Sequence, residues 1–219
     1  MIDKQTAISM LSLQAQMNAK VNPNWLAAGY PFLRAVVIEG SEAIEHHGWK
    51  WWKAQKKDLE QLQMEMVDIW HFMLSAIVLS NDGHIEAAAN ELEKHSTSLD
   101  SIVLFDDQTY EIATLDTVSK LELLIGLSVS RRINIALFAA LLVDCEMSWD
   151  NLYRQYVGKN VLNFFRQDNG YKEGTYRKIW DGREDNEHLV EILAEIDCPG
   201  PELRDHIYIK LTQRYGYVA

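Results

Sequence analysis

The 219-residue sequence predicts an all-α protein, and three observations carry that prediction. All four prolines (Pro23, Pro31, Pro199 and Pro201) fall outside residues 32–198, so the central chain is free of the residue that most strongly breaks helices. Apolar residues recur at helical spacing through most of that stretch. Asp3 and Ser148 stand where caps start a helix, while Gly48, Asn81-Asp82-Gly83 and Asn169-Gly170 stand where helices stop.

Asp3 caps a first helix reaching about residue 20, with Ile8, Leu11, Ala15 and Met17 or Asn18 near one face, and the Asn22-Pro23-Asn24 turn ends it. A second helix starts with Pro31 at or near its first position and stops at Gly48. A long third helix covers 56–80, and a shorter one covers 84–95. Residues 96–114 mix turn formers with Ile102-Val103-Leu104-Phe105 in a way that fits no helix, and they read as a long surface connection. Further helices are expected over 115–128, 131–146 and 149–167, and then near 184–196 and 200–214. No repeat, low-complexity run or dividing linker is visible, so residues 1–219 read as a single domain.

The chain sets 21 Lys and Arg against 32 Asp and Glu, giving a net charge of −11 and a pI near 5.1. An acidic surface repels phosphate backbones and anionic lipids, so neither nucleic acid nor membrane is an expected partner. No stretch reads as the ~20 apolar residues of a membrane span, and Met1-Ile2-Asp3-Lys4 opens no signal-peptide layout. Cys145 and Cys198 sit in no CxxC or CxxH pattern, which argues against a disulfide scaffold or zinc finger and fits a reduced, cytoplasmic setting. Cys145 in an apolar helix and Cys198 beside prolines both read as inert thiols.

The second helix contains Glu39-x-x-Glu42 and the third Glu65-x-x-Asp68, each pair set among Val, Ile, Ala, Met and Trp. Three residues apart, both carboxylates of a pair share a helical face. Packed antiparallel, the two helices would bring four carboxylates within roughly 5 Å, where each like-charge pair costs about 3 kcal/mol at an effective dielectric near 20. Such a cluster calls for protons or cations, and all-oxygen ligation without cysteine suits Mg²⁺. Ordinary exposed acidic faces are the alternative. A di-iron bundle would want two Glu-x-x-His motifs, and only Asp68-x-x-His71 approaches one.

Between the acidic helices lies Trp49-Lys50-Trp51-Trp52-Lys53, which can stack a base and steer phosphates, or form a hydrophobic corner or subunit contact. Residues 153–183 carry seven cations against three anions, a local +4 that leaves −15 elsewhere. The turn-prone run 168–176, with Gly170 and Gly174, suits a loop that closes over a polyphosphate, or a plain charged loop. Gln14 and Asn18, one turn apart, offer amides to a nucleobase edge or are simply exposed. His71 is a ligand contact or a core histidine.

These pieces resemble the dimeric, all-α dUTPase family: Leu13-Gln14 with Asn18, Pro23-Asn24-Trp25, Glu39-x-x-Glu42, Trp49-Lys50-Trp51-Trp52-Lys53, and Glu65-x-x-Asp68 running into Ile69-Trp70-His71-Phe72. The later run from Lys159 to Arg166, then Asn169-Gly170-Tyr171 to Tyr176, then Lys178-Ile179-Trp180-Asp181-Gly182-Arg183-Glu184-Asp185-Asn186, is similar to the family's C-terminal block. The resemblance implies a helical bundle of the all-α nucleotide pyrophosphohydrolase type, a homodimer, and Mg²⁺-dependent hydrolysis of dUTP, and of dUDP, to dUMP, with pyrophosphate leaving dUTP. It implies that Glu39, Glu42, Glu65 and Asp68 bind metal and that one of them, taken as Glu42, orients or deprotonates the attacking water. Gln14, Asn18, Trp52, His71 and Phe72 match positions around uracil and deoxyribose. Lys159, Asn163, Arg166, Tyr176, Lys178 and Asn186 match the substrate-closing segment within 153–186.

Gly48 and the pair His46-His47 depart from the family pattern and put only local loop shape in question. Amides can rotate to serve cytosine as well as uracil, so a relative acting on dCTP or other nucleotides stays open from the residues alone. A di-iron oxidoreductase and a non-enzymatic helical dimer are the rivals from other classes.

Overall fold

Asp3 caps the first helix, its carboxylate accepting the Thr6 N–H at 2.9 Å, and α1 (Lys4–Val21) turns Ala7, Met10, Leu11, Gln14 and Met17 inward. The computed structural model describes residues 2–96, 101–196 and 202–216. A single-turn helix, α2 (Trp25–Ala28), follows the Asn22 turn; it was not expected, and it buries Trp25 before Gly29 ends it in the left-handed region. Then α3 (Phe32–His47) runs from Pro31 to Gly48, whose φ of +84° few side chains would accept.

The next helix, α4 (Leu59–Ser80), starts three residues later than expected because Asp58 supplies its cap, accepting the Gln61 N–H at 3.2 Å. α5 (Ile85–Ser96) lies where a helix was expected. In place of a featureless connection, residues 101–114 hold an antiparallel hairpin, β1 (Ile102–Phe105) with β2 (Gln108–Glu111), turned at Asp106 and Asp107 and followed by one 3₁₀ turn. α6 (Thr117–Val129) follows Asp116 as cap, and α7 (Ile135–Asp144) begins four residues late because Arg131 takes a positive φ and Asn134 caps instead. α8 (Trp149–Asp168) is capped by Ser148 as expected. The chain closes with a short hairpin, β3 (Ile179–Trp180) and β4 (Arg183–Glu184), then α9 (Asp185–Glu195) and α10 (Glu202–Gly216). Cys198, Pro199, Pro201 and the expected start of the last helix at 200 lie outside the described residues.

The bundle is organised around α4, whose Leu62, Met66, Ile69, Trp70 and Leu74 are fully enclosed. Trp70 stacks on Phe138 of α7 at 4.8 Å and its indole N–H donates to Met10 Sδ of α1. α3 packs along both α4 and α6, while α1 lies against α4, α5 and α8. Close approach of α6 depends on Gly40, where an added Cβ would stand 2.9 Å from the Ile125 side chain. By length and composition α4 is apolar enough to cross a membrane, a correction to the expectation that no stretch is, but 67% of its most apolar window is buried inside the bundle. That is the pattern of a core helix.

Candidate active site

The antiparallel packing of α3 on α4 follows from their contacts: His46, near the end of α3, sits 3.5 Å from Glu65, while Glu39, two turns earlier, feels the charge of Asp68 one turn later. This register faces the two acidic pairs, and carboxylate oxygens of Glu39, Glu42 and Glu65 all lie within 4.8 Å of one another. Glu65 is enclosed, Glu39 half-buried and Glu42 exposed. Burial, reinforced by Asp68, Glu39 and Glu42, pushes the Glu65 carboxyl up to about 8, and burial with the charges of Asp68 and Glu42 raises Glu39 as well. Glu65 therefore carries a proton near neutrality and donates it to Glu39. Asp68 stands beside the trio and holds the ammonium of Lys159 from α8 at 3.1 Å.

One turn further along α4 from Asp68, the side chains of Gln14, Asn18 and His71 come together in one hydrogen-bonded chain. His71 Nδ1 lies 2.8 Å from Gln14 Oε1, Gln14 Nε2 donates to Asn18 Oδ1 at 3.2 Å, and Asn18 Nδ2 donates to Ser75 Oγ at 3.1 Å. Tyr156 of α8 lies over the His71 ring at 4.4 Å and donates its hydroxyl to Met10 O. Burial, with the Lys159 charge behind it, drives His71 down to about 3, so its imidazole is neutral at any ordinary pH. His71 Nε2 and both amide atoms of Asn160 are enclosed without a hydrogen-bond partner among the described residues. Such orphaned groups mark a place where a polar ligand edge is welcome.

Further along α8, Asn163, Arg166, Tyr176 and Asn186 form a third cluster, joined by Asp185. The Arg166 guanidinium grips the Asp185 carboxylate with Nε and Nη2 at 2.8 and 2.9 Å, and donates to Asn163 Oδ1 at 3.2 Å and Asn186 Oδ1 at 3.4 Å. A groove of about 470 Å³ opens between α4, α8 and α9, with Met64, Val67, Lys159, Asn186 and Leu189 in its walls.

A protein-family model described as dUTPase matches residues 7–171, three-quarters of the chain. The chain belongs to the all-α dUTPase family. No curated protein matches it. Membership makes the chain a hydrolase of nucleotide metabolism whose reaction is that of a dUTP diphosphatase, and the helical architecture agrees with it. The matched stretch contains both acidic pairs, the Gln14, Asn18 and His71 cluster, and Lys159 to Arg166; Tyr176, Lys178 and Asn186 lie beyond it.

Not every expected residue is brought to these clusters. Trp52 is 58% exposed, and its ring contacts among the described residues are with Trp49 and Trp51. Phe72 packs half-buried against the core, and Lys178 pairs with Glu184 at 3.2 Å on the surface. Tyr156, Asn160, Ser75 and Asp185 were missed as site residues, since in sequence they look like ordinary helix positions. His46 carried a faint signal as half of an unusual His pair. Cys145 is enclosed, its thiol pushed by burial to about 11, as an inert cysteine should be.

Proposed function

We propose that this dUTPase acts through Mg²⁺ held by Glu39, Glu42, Glu65 and Asp68, taking dUTP and dUDP to dUMP. The observation that carries this reading is the meeting of three carboxylates within 4.8 Å on two core helices, with Asp68 one turn away. The donor set is all oxygen, as Mg²⁺ prefers, and the upward push on the Glu65 carboxyl by burial and its acidic neighbours supports a cluster that draws positive charge. Bound there, Mg²⁺ supplies charge neutralisation for the phosphates and acidifies water. Glu42, the exposed member, is the side chain water can reach, and it orients the attacking water and takes its proton.

Lys159, at the edge of the acids, is positioned to follow the phosphates, and Arg166 with Asn163, Tyr176, Lys178 and Asn186 closes over them from the α8 side. The neutral His71 with Gln14, Asn18 and Phe72 receives the base and sugar, where a fixed pattern of amide and imidazole groups rejects bases with the wrong edge. Trp52 serves the same end, and the exposed rings of Trp49, Trp51 and Trp52 suit burial in a homodimer. We read residues 1–219 as one such unit working in the cytoplasm, with nucleotide rather than nucleic acid or membrane as partner. Incubating the protein with dUTP, dUDP, dCTP, dTTP and UTP and separating the products tests this reading. Selective formation of dUMP from dUTP and dUDP is expected; cleavage of dCTP at a matching rate would overturn the uracil assignment.

A further inference from the structure

Asp185 is 0% exposed, and its place follows from the local sequence. Asp181 and Gly182 take φ of 48° and 77° to turn β3 into β4, Glu184 caps α9, and the Asp185 N–H closes the hairpin onto Lys178 O at 3.0 Å. The carboxylate then accepts three bonds: two from Arg166, and one from the Tyr176 hydroxyl at 2.8 Å. A buried carboxylate is tolerated only when so satisfied. The bidentate grip occupies one edge of the guanidinium and fixes its plane. The outer groups face Asn163 and Asn186, neutral amide oxygens that an anionic oxygen can displace without leaving a charge unpaired. Asp185 sits behind Arg166 and fully enclosed, so it does not itself meet the incoming anion.

We propose that Asp185 is a positioning residue for the nucleotide phosphates, acting through Arg166, whose guanidinium it fixes in an anion-facing orientation before substrate arrives. This rests on the reading that the segment up to Asn186 closes on the phosphates.

The test is a double-mutant cycle with Asp185→Asn and Arg166→Met in the full chain, reading KM and kcat for dUTP and, separately, the affinity for inorganic pyrophosphate with Mg²⁺. Asp185→Asn is expected to raise KM and weaken pyrophosphate binding about 10- to 100-fold, with a smaller change in kcat, and to add nothing in the Arg166→Met background. An unchanged KM and pyrophosphate affinity in Asp185→Asn, or an equal loss in both backgrounds, overturns the proposal. Failure of the unsubstituted chain to cleave dUTP counts against the functional reading instead, and the pyrophosphate cycle then decides the positioning claim. Should Asp185→Asn not fold, the pair Arg166→Met with Asp185→Leu removes both charges, and its pyrophosphate affinity must match that of Arg166→Met alone; a further loss overturns the proposal.

Discussion

Glu65 is 7% exposed and faces Glu39, Glu42 and Asp68, so a proton or a cation has to accompany it. Its carboxyl, raised from an ordinary 4.5 to about 8, binds more protons in the folded chain than in the unfolded one between those values. Stability from this group is therefore complete below about 4.5 and lost as pH rises through 8. The metal-free protein should melt at a lower temperature at pH 9 than at pH 6, and Glu65→Gln should flatten that slope; an unaltered slope in Glu65→Gln would contradict the assignment. Glu42→Gln and Asp68→Asn should abolish turnover while preserving helical circular dichroism. Near-normal turnover in either variant removes the acids from the chemistry. These acids were legible in sequence because a carboxylate pair at helical spacing among Val, Met and Trp cannot face solvent without exposing its apolar neighbours. Asp185 was not legible, since an acid in a first helical turn is ordinary and only tertiary packing buries it.

The helices themselves were legible where a cap and a period agreed, as at Asp3, Ser148 and Gly48. They were not where positive φ falls on residues other than glycine: Arg131 delays α7, and Asp106-Asp107 turn a hairpin that no glycine announces. The basic concentration at 153–183 reads differently once its first sixteen residues prove to be α8, which leaves residues 170–175 as the turn joining that helix to the closing hairpin. Its start is anchored, because Asp168 accepts from Lys20 of α1 at 2.5 Å and from Tyr208 of α10 at 2.8 Å, while Tyr171 to Thr175 are exposed. Amides of 171–175 should exchange rapidly in the free protein and become protected with a non-hydrolysable dUTP analogue and Mg²⁺. Exchange that ignores the analogue would argue against closure.

At the scale of the whole molecule, α4 serves two purposes. Its apolar residues hold α1, α3, α7 and α8 together, and its polar positions supply Glu65 and Asp68 to one cluster and His71 to the other. Packing and chemistry share one helix, so relief of charge at the acids is transmitted to global stability. Sedimentation should give about twice the 25.2 kDa chain mass, as two copies burying the tryptophan cluster require; a monomer would contradict the homodimer. The most direct test of the metal-based account is calorimetric titration of Mg²⁺ into EDTA-treated protein, with dUTP turnover followed in the same samples. Saturable binding that releases protons, is lost in Glu42→Gln and Asp68→Asn, and restores turnover in step with occupancy is the expected result. Full turnover in EDTA, or Mg²⁺ binding untouched by either substitution, would contradict it.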